Sequence, residues 1–279
     1  MPTHVLLLVV FAAFLHASWN AVVKSSPDKF LDIVFVTASA ALVGAIALPF
    51  LSMPAPASWP YAGASAVIHI AYFLLIGAAY RSGDMSHAYP LMRGTPPLVV
   101  TVVSVLVLGE RLTAGEWSGI VLICAGILAM LMVNASSLGT GRTTQLALLN
   151  AFAVAAYTLV DGTGGRLSGN PASYTMWVFV LTGPPILIWA LIRGHREAIS
   201  HLRSRWHFAL VGGVCTLSAY TLVVWAMNQA PIALVAALRE TAILFGTAIS
   251  ILVFKERQGP GRPIAAVLIL LGVITLKLA

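Results

Sequence analysis

The sequence predicts an all-α integral membrane protein with ten transmembrane helices arranged as two inverted five-helix repeats. Three observations predict it. Hydrophobic residues make up 59% of the 279 positions and charged residues only 9%, with a mean hydropathy of +0.93. A soluble domain carries about 25% charge, so this much apolar surface needs a bilayer as its solvent. Apolar runs of membrane-spanning length recur along the chain, separated by short polar or Pro/Gly breaks. Finally, the polar residues inside those runs repeat at a fixed interval.

The runs span roughly 4–24, 30–51, 60–80, 85–108, 114–133, 145–161, 173–192, 206–227, 231–254 and 262–278. The first lacks a Lys/Arg-rich start and continues to about Val23, so it reads as a membrane helix rather than a signal peptide. The second and third are joined by SMPAPASWP, which has no charge. The fourth contains HAYPLMRGTPPL, where Pro90, Pro96 and Pro97 interrupt the hydrogen-bond ladder and permit a bend. The longest polar stretch, Arg193 to His207, reads as a solvated loop or short surface helix.

The repeat is clearest in the fourth and fifth runs. Arg93 to Gly126 aligns without a gap on Arg239 to Gly272. Thr95 meets Thr241, Thr101 meets Thr247, Ser104 meets Ser250, and Glu110–Arg111 meets Glu256–Arg257. Apolar composition alone would not align polar residues in this way. The chain therefore divides into residues 1–133 and 145–279. Five crossings per unit put the second unit in the opposite sense, an architecture of secondary transporters with a site near the midplane.

Two such units, each with a helix ending in -LGER- or -FKER- before a Gly-containing apolar helix, resemble the EamA-type members of the drug/metabolite transporter superfamily. The resemblance covers nearly the whole chain. It implies a ten-helix permease that alternates access to a central cavity lined by the first, third, fourth, sixth, eighth and ninth helices, with the fifth and tenth outside. It says little about substrate. Such members often carry a basic loop between helices 2 and 3, which is absent here.

Lys24, Lys29, Arg81, Arg142, Arg193, Arg196, Arg203, Arg205, Lys255, Arg257 and Arg262 fall on one side of the predicted topology, against Arg111, Arg166 and Lys277 on the other. The positive-inside rule then puts both termini outside the cytoplasm of a cell membrane, a bacterial inner membrane by this reading. The family resemblance implies termini inside.

The net charge of +7 lies in short loops and forms no aromatic-basic patch of the kind nucleic acid needs. Cys124 and Cys215 lie in apolar runs and read as small core residues rather than a disulfide. There is no catalytic constellation, no metal-ligand spacing and no Walker-type loop. No cofactor is expected, the chain does not read as an enzyme, and any driving energy comes from a gradient, a proton gradient being one.

The candidate substrate-binding residues follow from polar and aromatic groups inside the runs. Arg93 and Arg239 occupy equivalent places, each about 12 Å into its helix. An Arg at that depth costs about 2.5–3.5 kcal/mol on insertion scales. Either the two guanidinium groups face a polar cavity and grip an anion, or Arg239 and Glu240 neutralise each other or bridge helices, or both Arg residues snorkel. Tyr89 shares the Arg93 face. His16 and Asn20 share a face of the first helix, with Trp19 beside them. Tyr157 and Asp161 are similarly spaced in the sixth, where Asp161 reads as a solvated or capping residue. His69, Tyr72 and Tyr220 complete the set. His16, His69 or Glu240 could carry a coupled proton.

These residues suit a small polar metabolite bearing a negative group, such as an amino acid or phosphonate. The competing readings are a lipophilic-cation efflux carrier centred on Glu240, and a scaffold or lipid-head-group flippase. Glu110 and Glu256 read as end pairs with Arg111 and Arg257. The sequence leaves direction, coupling ion and oligomeric state open.

Overall fold

The computed structural model describes residues 1–82, 85–133, 141–255 and 261–279. Among the described residues every regular element is helical: α1 (Thr3–Lys24), α2 (Lys29–Ala47), α3 (Trp59–Ser82), α4 (Met85–Leu106), α5 (Ala114–Val133), α6 (Gly141–Leu167), α7 (Pro171–Gln229), α8 (Ile232–Arg239), α9 (Ala242–Leu252) and α10 (Gly261–Leu278). Among the described residues six candidate spans, counting Ile232–Leu252 as one, are long and apolar enough to cross a bilayer. Glu256 and Arg257 lie outside the described residues, as does the side chain of His87.

Local chemistry sets the helix ends. Asp28 accepts the Leu31 N–H at 3.0 Å to start α2, and Asn170 accepts the Ser173 N–H at 3.2 Å to start α7, with Pro171 following at the first helical position. Thr113 and Glu116 form a reciprocal capping box at α5.

Two departures from the expected elements matter. The first is that the expected helices 173–192 and 206–227 are joined in one element, α7. The polar stretch between them, expected to be a solvated loop or a short surface helix, is helical, set off by non-helical backbone at Gly194 and Arg205. Those two points let α7 double back, because Gly183 and Gly213 pack against neighbouring parts of α2, at Ala41 and Ser39. A straight helix would separate them by about 45 Å. Asp32 of α2 holds the turn, receiving Arg205 Nη2 at 3.0 Å and facing His201 Nε2 at 2.5 Å.

The second departure is in the expected helix 231–254, which is interrupted at Glu240–Thr241. The bonds there tighten to three-residue spacing: Glu240 N–H to Ala237 O, Thr241 N–H to Leu238 O, and Ile243 N–H to Glu240 O. Conversely, α4 runs through its three prolines as one helix. The break thus falls in the copy without prolines.

The core is built around α8, whose residues Ile232 to Leu238 are all buried. Val5 and Val9 of α1, Ile120, Ile123 and Ile127 of α5, and Ile269 and Leu276 of α10 pack in the same cluster. α5 meets α10 closely because Gly119 and Gly272 face each other. Phe11, Leu42, Ile46, Ile192 and Leu271 point outward, as expected of a surface in contact with hydrocarbon. Cys124 and Cys215 are both free thiols.

Candidate functional site

Two adjoining cavities occupy the middle of the molecule. The inner one, about 60 Å³, is walled by rings from α1, α3, α6 and α7 (His16, Trp19, His69, Tyr72, Tyr157 and Tyr220) and by Arg239 from α8. The outer one, about 320 Å³, is shared by α1, α4 and α9 and reaches Lys24 and Lys29, at the end of α1 and the start of α2. His16, Trp19, Tyr72 and Phe73 line both and form the partition.

The aromatic wall is a connected stack. The His69 ring lies nearly parallel to Tyr157 at 4.3 Å between centroids, and Tyr220 sets its edge toward both rings. Tyr72 contacts Tyr157 edge-on at 5.8 Å. The Arg239 guanidinium carbon sits 6.0 Å from the Tyr157 centroid, at the limit of a cation–π contact. On α1, Trp19 Nε1 donates to His16 Nδ1 at 3.3 Å. Asn20 donates to the His16 carbonyl at 2.7 Å within its own helix rather than bridging to another.

Four ionisable groups lie in or behind the wall. Arg93 Nε is 3.0 Å from Glu240 Oε2, and Arg239 Nε is 3.8 Å from Glu240 Oε1. Glu240 is fully buried, and the two Arg side chains are 12% and 5% exposed. These values leave Arg93 no route to an interface, so the snorkelling reading fails. Arg93 Nη2 and Arg239 Nε have no hydrogen-bond partner among the described residues, although a buried donor normally has one. The interrupted backbone puts Arg239 and Glu240 at the junction of two half-helices, where it turns Arg239 toward the inner cavity and Glu240 toward Arg93 of α4.

The fourth group is Asp161. Its oxygens accept the Tyr174 hydroxyl at 2.9 Å and the Tyr220 hydroxyl at 2.5 Å, and the residue is fully buried. It was expected to be a solvated or capping residue near a helix end. However, α6 continues to Leu167, which carries Asp161 inside. The signal that could have found it was the i,i+4 spacing with Tyr157 on a run that is long enough to extend further.

Of the candidate residues, His16, Trp19, His69, Tyr72, Tyr157, Tyr220 and Arg239 line the inner cavity. Asn20 and Tyr89 line the outer one. Arg93 and Glu240 stand behind the wall as an ion pair. The expectation that Glu110 pairs with Arg111 is corrected: Glu110 takes Arg166 Nη2 at 2.8 Å. Among the described residues no cluster of three His, Cys, Asp or Glu has metal-binding geometry.

Known proteins match this arrangement in three ways. The model of the EamA-like transporter family matches residues 3–132 and again 142–278. The protein RarD of Streptomyces exfoliatus is 27% identical over 168 residues, 60% of this chain and 51% of that protein. The chain thus spans about half the length of this curated relative. A solved crystal structure superposes with a TM-score of 0.73 at 19% identity, covering 99% of this chain and 96% of the other, which establishes the fold alone. Covered by the family model almost from end to end, the chain belongs to the EamA-like transporter family of the drug/metabolite transporter superfamily and is a multi-pass membrane protein.

Proposed function

We propose that this protein is a secondary-active permease, not an enzyme, for a small anionic or zwitterionic metabolite such as an amino acid or phosphonate. It would work by alternating access at the central cavity. The observation that carries this reading is Arg239: a nearly buried guanidinium on the inner cavity wall, its Nε without a hydrogen-bond partner among the described residues and its carboxylate neighbour at 3.8 Å. Guanidinium donors in a low-dielectric site suit carboxylate or phosphonate oxygens. The interrupted α8–α9 span supports the same reading, since carriers place substrate at broken helices near the midplane.

The two separate family matches support two five-helix units, 1–133 and 145–279, of ten crossings in total and inverted by their odd number. The doubling of α7 supports the same count. By the Lys/Arg bias both termini lie outside the cytoplasm of a bacterial inner membrane, and the outer cavity then opens inward.

Glu240, which a lipophilic cation would need, is held by Arg93 and does not line either cavity. This favours the anion over the cation reading. The test is thermal unfolding of the purified protein against organic phosphates, phosphonates, amino acids, carboxylates and quaternary ammonium compounds. A ligand at about 100 times its Kd stabilises the native state by about 2.7 kcal/mol. Stabilisation by an anion or zwitterion that Arg239→Ala abolishes supports the proposal. Stabilisation only by lipophilic cations overturns it.

A further inference from the structure

Among the described residues, Arg93, Arg239, Glu240 and Asp161 are formally charged groups in or behind the wall of the inner cavity. With Asp161 ionised, their charges sum to zero. With Asp161 protonated, the centre carries one net positive charge. We infer that Asp161 is a proton-binding site and that the proton and an anionic substrate load together, with one charge offsetting the other; this rests on the anion-carrier reading above.

The geometry gives the proton a route. Asp161 has no contact with the cavity itself but is separated from it by one layer, Tyr220 and His69, both of which line it. On α3, His69 Nδ1 lies 3.1 Å from Ser65 Oγ and 3.0 Å from the Ser65 carbonyl. The carbonyl fixes the tautomer with hydrogen on Nδ1 and leaves Nε2 to accept. The Tyr220 hydroxyl donates to Asp161 Oδ2 at 2.5 Å, and Tyr220 lines the cavity. A proton taken from the cavity onto Tyr220 Oη lets the original hydroxyl proton pass to Asp161. The tyrosine is unchanged in composition, and Asp161 becomes the neutral acid.

The groups around Asp161 are His69 and Ser65 from α3 and Tyr174 and Tyr220 from α7. Tyr157 of α6 stacks on His69, and Arg239 of α8 lies beyond Tyr157 and Tyr220. His16 on α1 faces the two Arg residues. Both histidines line the inner cavity, so pH dependence alone would not identify the carboxyl.

The experiment is an infrared titration of the full-length protein between about pH 4 and pH 9. It follows the carbonyl band of a protonated carboxylic acid with and without glutamate, 2-aminoethylphosphonate and glycerol phosphate. A titrating band is expected that Asp161→Asn removes, that Tyr220→Phe shifts in frequency, and that Glu240→Gln leaves in place. At least one of the three anions should raise its midpoint by about one pH unit, a tenfold reciprocal coupling. Asp161→Asn mimics the neutral acid, so it should keep anion stabilisation at high pH where wild type loses it. A band that survives Asp161→Asn, or no titrating band, overturns the proton site. If an anion stabilises the fold without moving the midpoint, co-loading fails and the carrier reading stands. If the band titrates and none of the anions stabilises or shifts it, co-loading and the anion reading fall together and the proton site remains.

Discussion

Glu110 caps the start of α8 from 122 residues away: its Oε1 accepts the Ile232 N–H at 2.8 Å, and its Oε2 faces the Ala233 N–H at 3.3 Å. The same carboxylate receives Arg166, which also donates from Nε to the Met227 carbonyl and from Nη2 to the Ala230 carbonyl. One acidic side chain thus fastens the loop after α4, the end of α6 and the most buried helix of the molecule. A carboxylate at a helix N-terminus satisfies free N–H groups and meets the positive end of the helix dipole.

Replacing Glu110 by Ala removes charge-assisted hydrogen bonds to buried donors, each worth about 1.5–3 kcal/mol. The variant is expected to unfold several degrees below wild type in detergent, with Glu110→Gln in between. An Ala variant as stable as wild type would show that the cap carries no stability.

Arg93→Met leaves Glu240 with only the looser Arg239 contact. Breaking a buried pair from one side costs about 3–5 kcal/mol. The double replacement Arg93→Met with Glu240→Gln removes both charges and is expected to be more stable than Arg93→Met alone. A double-mutant cycle by thermal unfolding checks this; strictly additive losses would mean that the pair does not interact energetically.

A side chain at Gly272 would meet the Gly119 carbonyl at 2.7 Å and Ile123 Cγ1 at 2.6 Å. Gly272→Leu is therefore expected to force α5 and α10 apart and to cost about 1–3 kcal/mol or more. Because neither glycine lines a cavity, ligand stabilisation measured below the lowered unfolding temperature should be unchanged. Lost ligand response in a folded variant would contradict this separation.

Asp32→Asn weakens the clamp on the turn of α7, since Arg205 and His201 lose their shared carboxylate. Trypsin is expected to cut near Arg203 and Arg205 faster than in wild type. An unchanged cleavage rate would show that Gly194 and the packing against α2 hold the turn without the charge cluster.

Much of this was legible in the sequence, for identifiable reasons. Apolar length pointed to an all-helical membrane chain and the Arg93/Arg239 correspondence to the central cations, because charge inside hydrocarbon is costly and therefore conspicuous. The cavity-lining aromatics were legible as ring-bearing residues at helical spacing. The interruption at Glu240–Thr241 was not: prolines are the usual helix breakers and they stand in α4, which stays continuous. Neither was the partner of Glu110, since Arg166 is 56 positions away and only tertiary packing brings them together. Asp161 was misread because its span ends later than its hydropathy suggests. At 193–207 the sequence left loop and short surface helix open, because the turn there is held by tertiary contacts to Asp32.

The unequal volumes of the two cavities carry a consequence for chemical selectivity. About 60 Å³ beside Arg239 has room for a charged head group and little else, while about 320 Å³ beyond the His16–Trp19–Tyr72–Phe73 constriction can hold a variable remainder. On the proposed anion-carrier reading, discrimination is then concentrated on one end of a guest. That reading predicts that, within a homologous series, lengthening the tail changes affinity gently, whereas swapping or blocking the acidic terminus abolishes it.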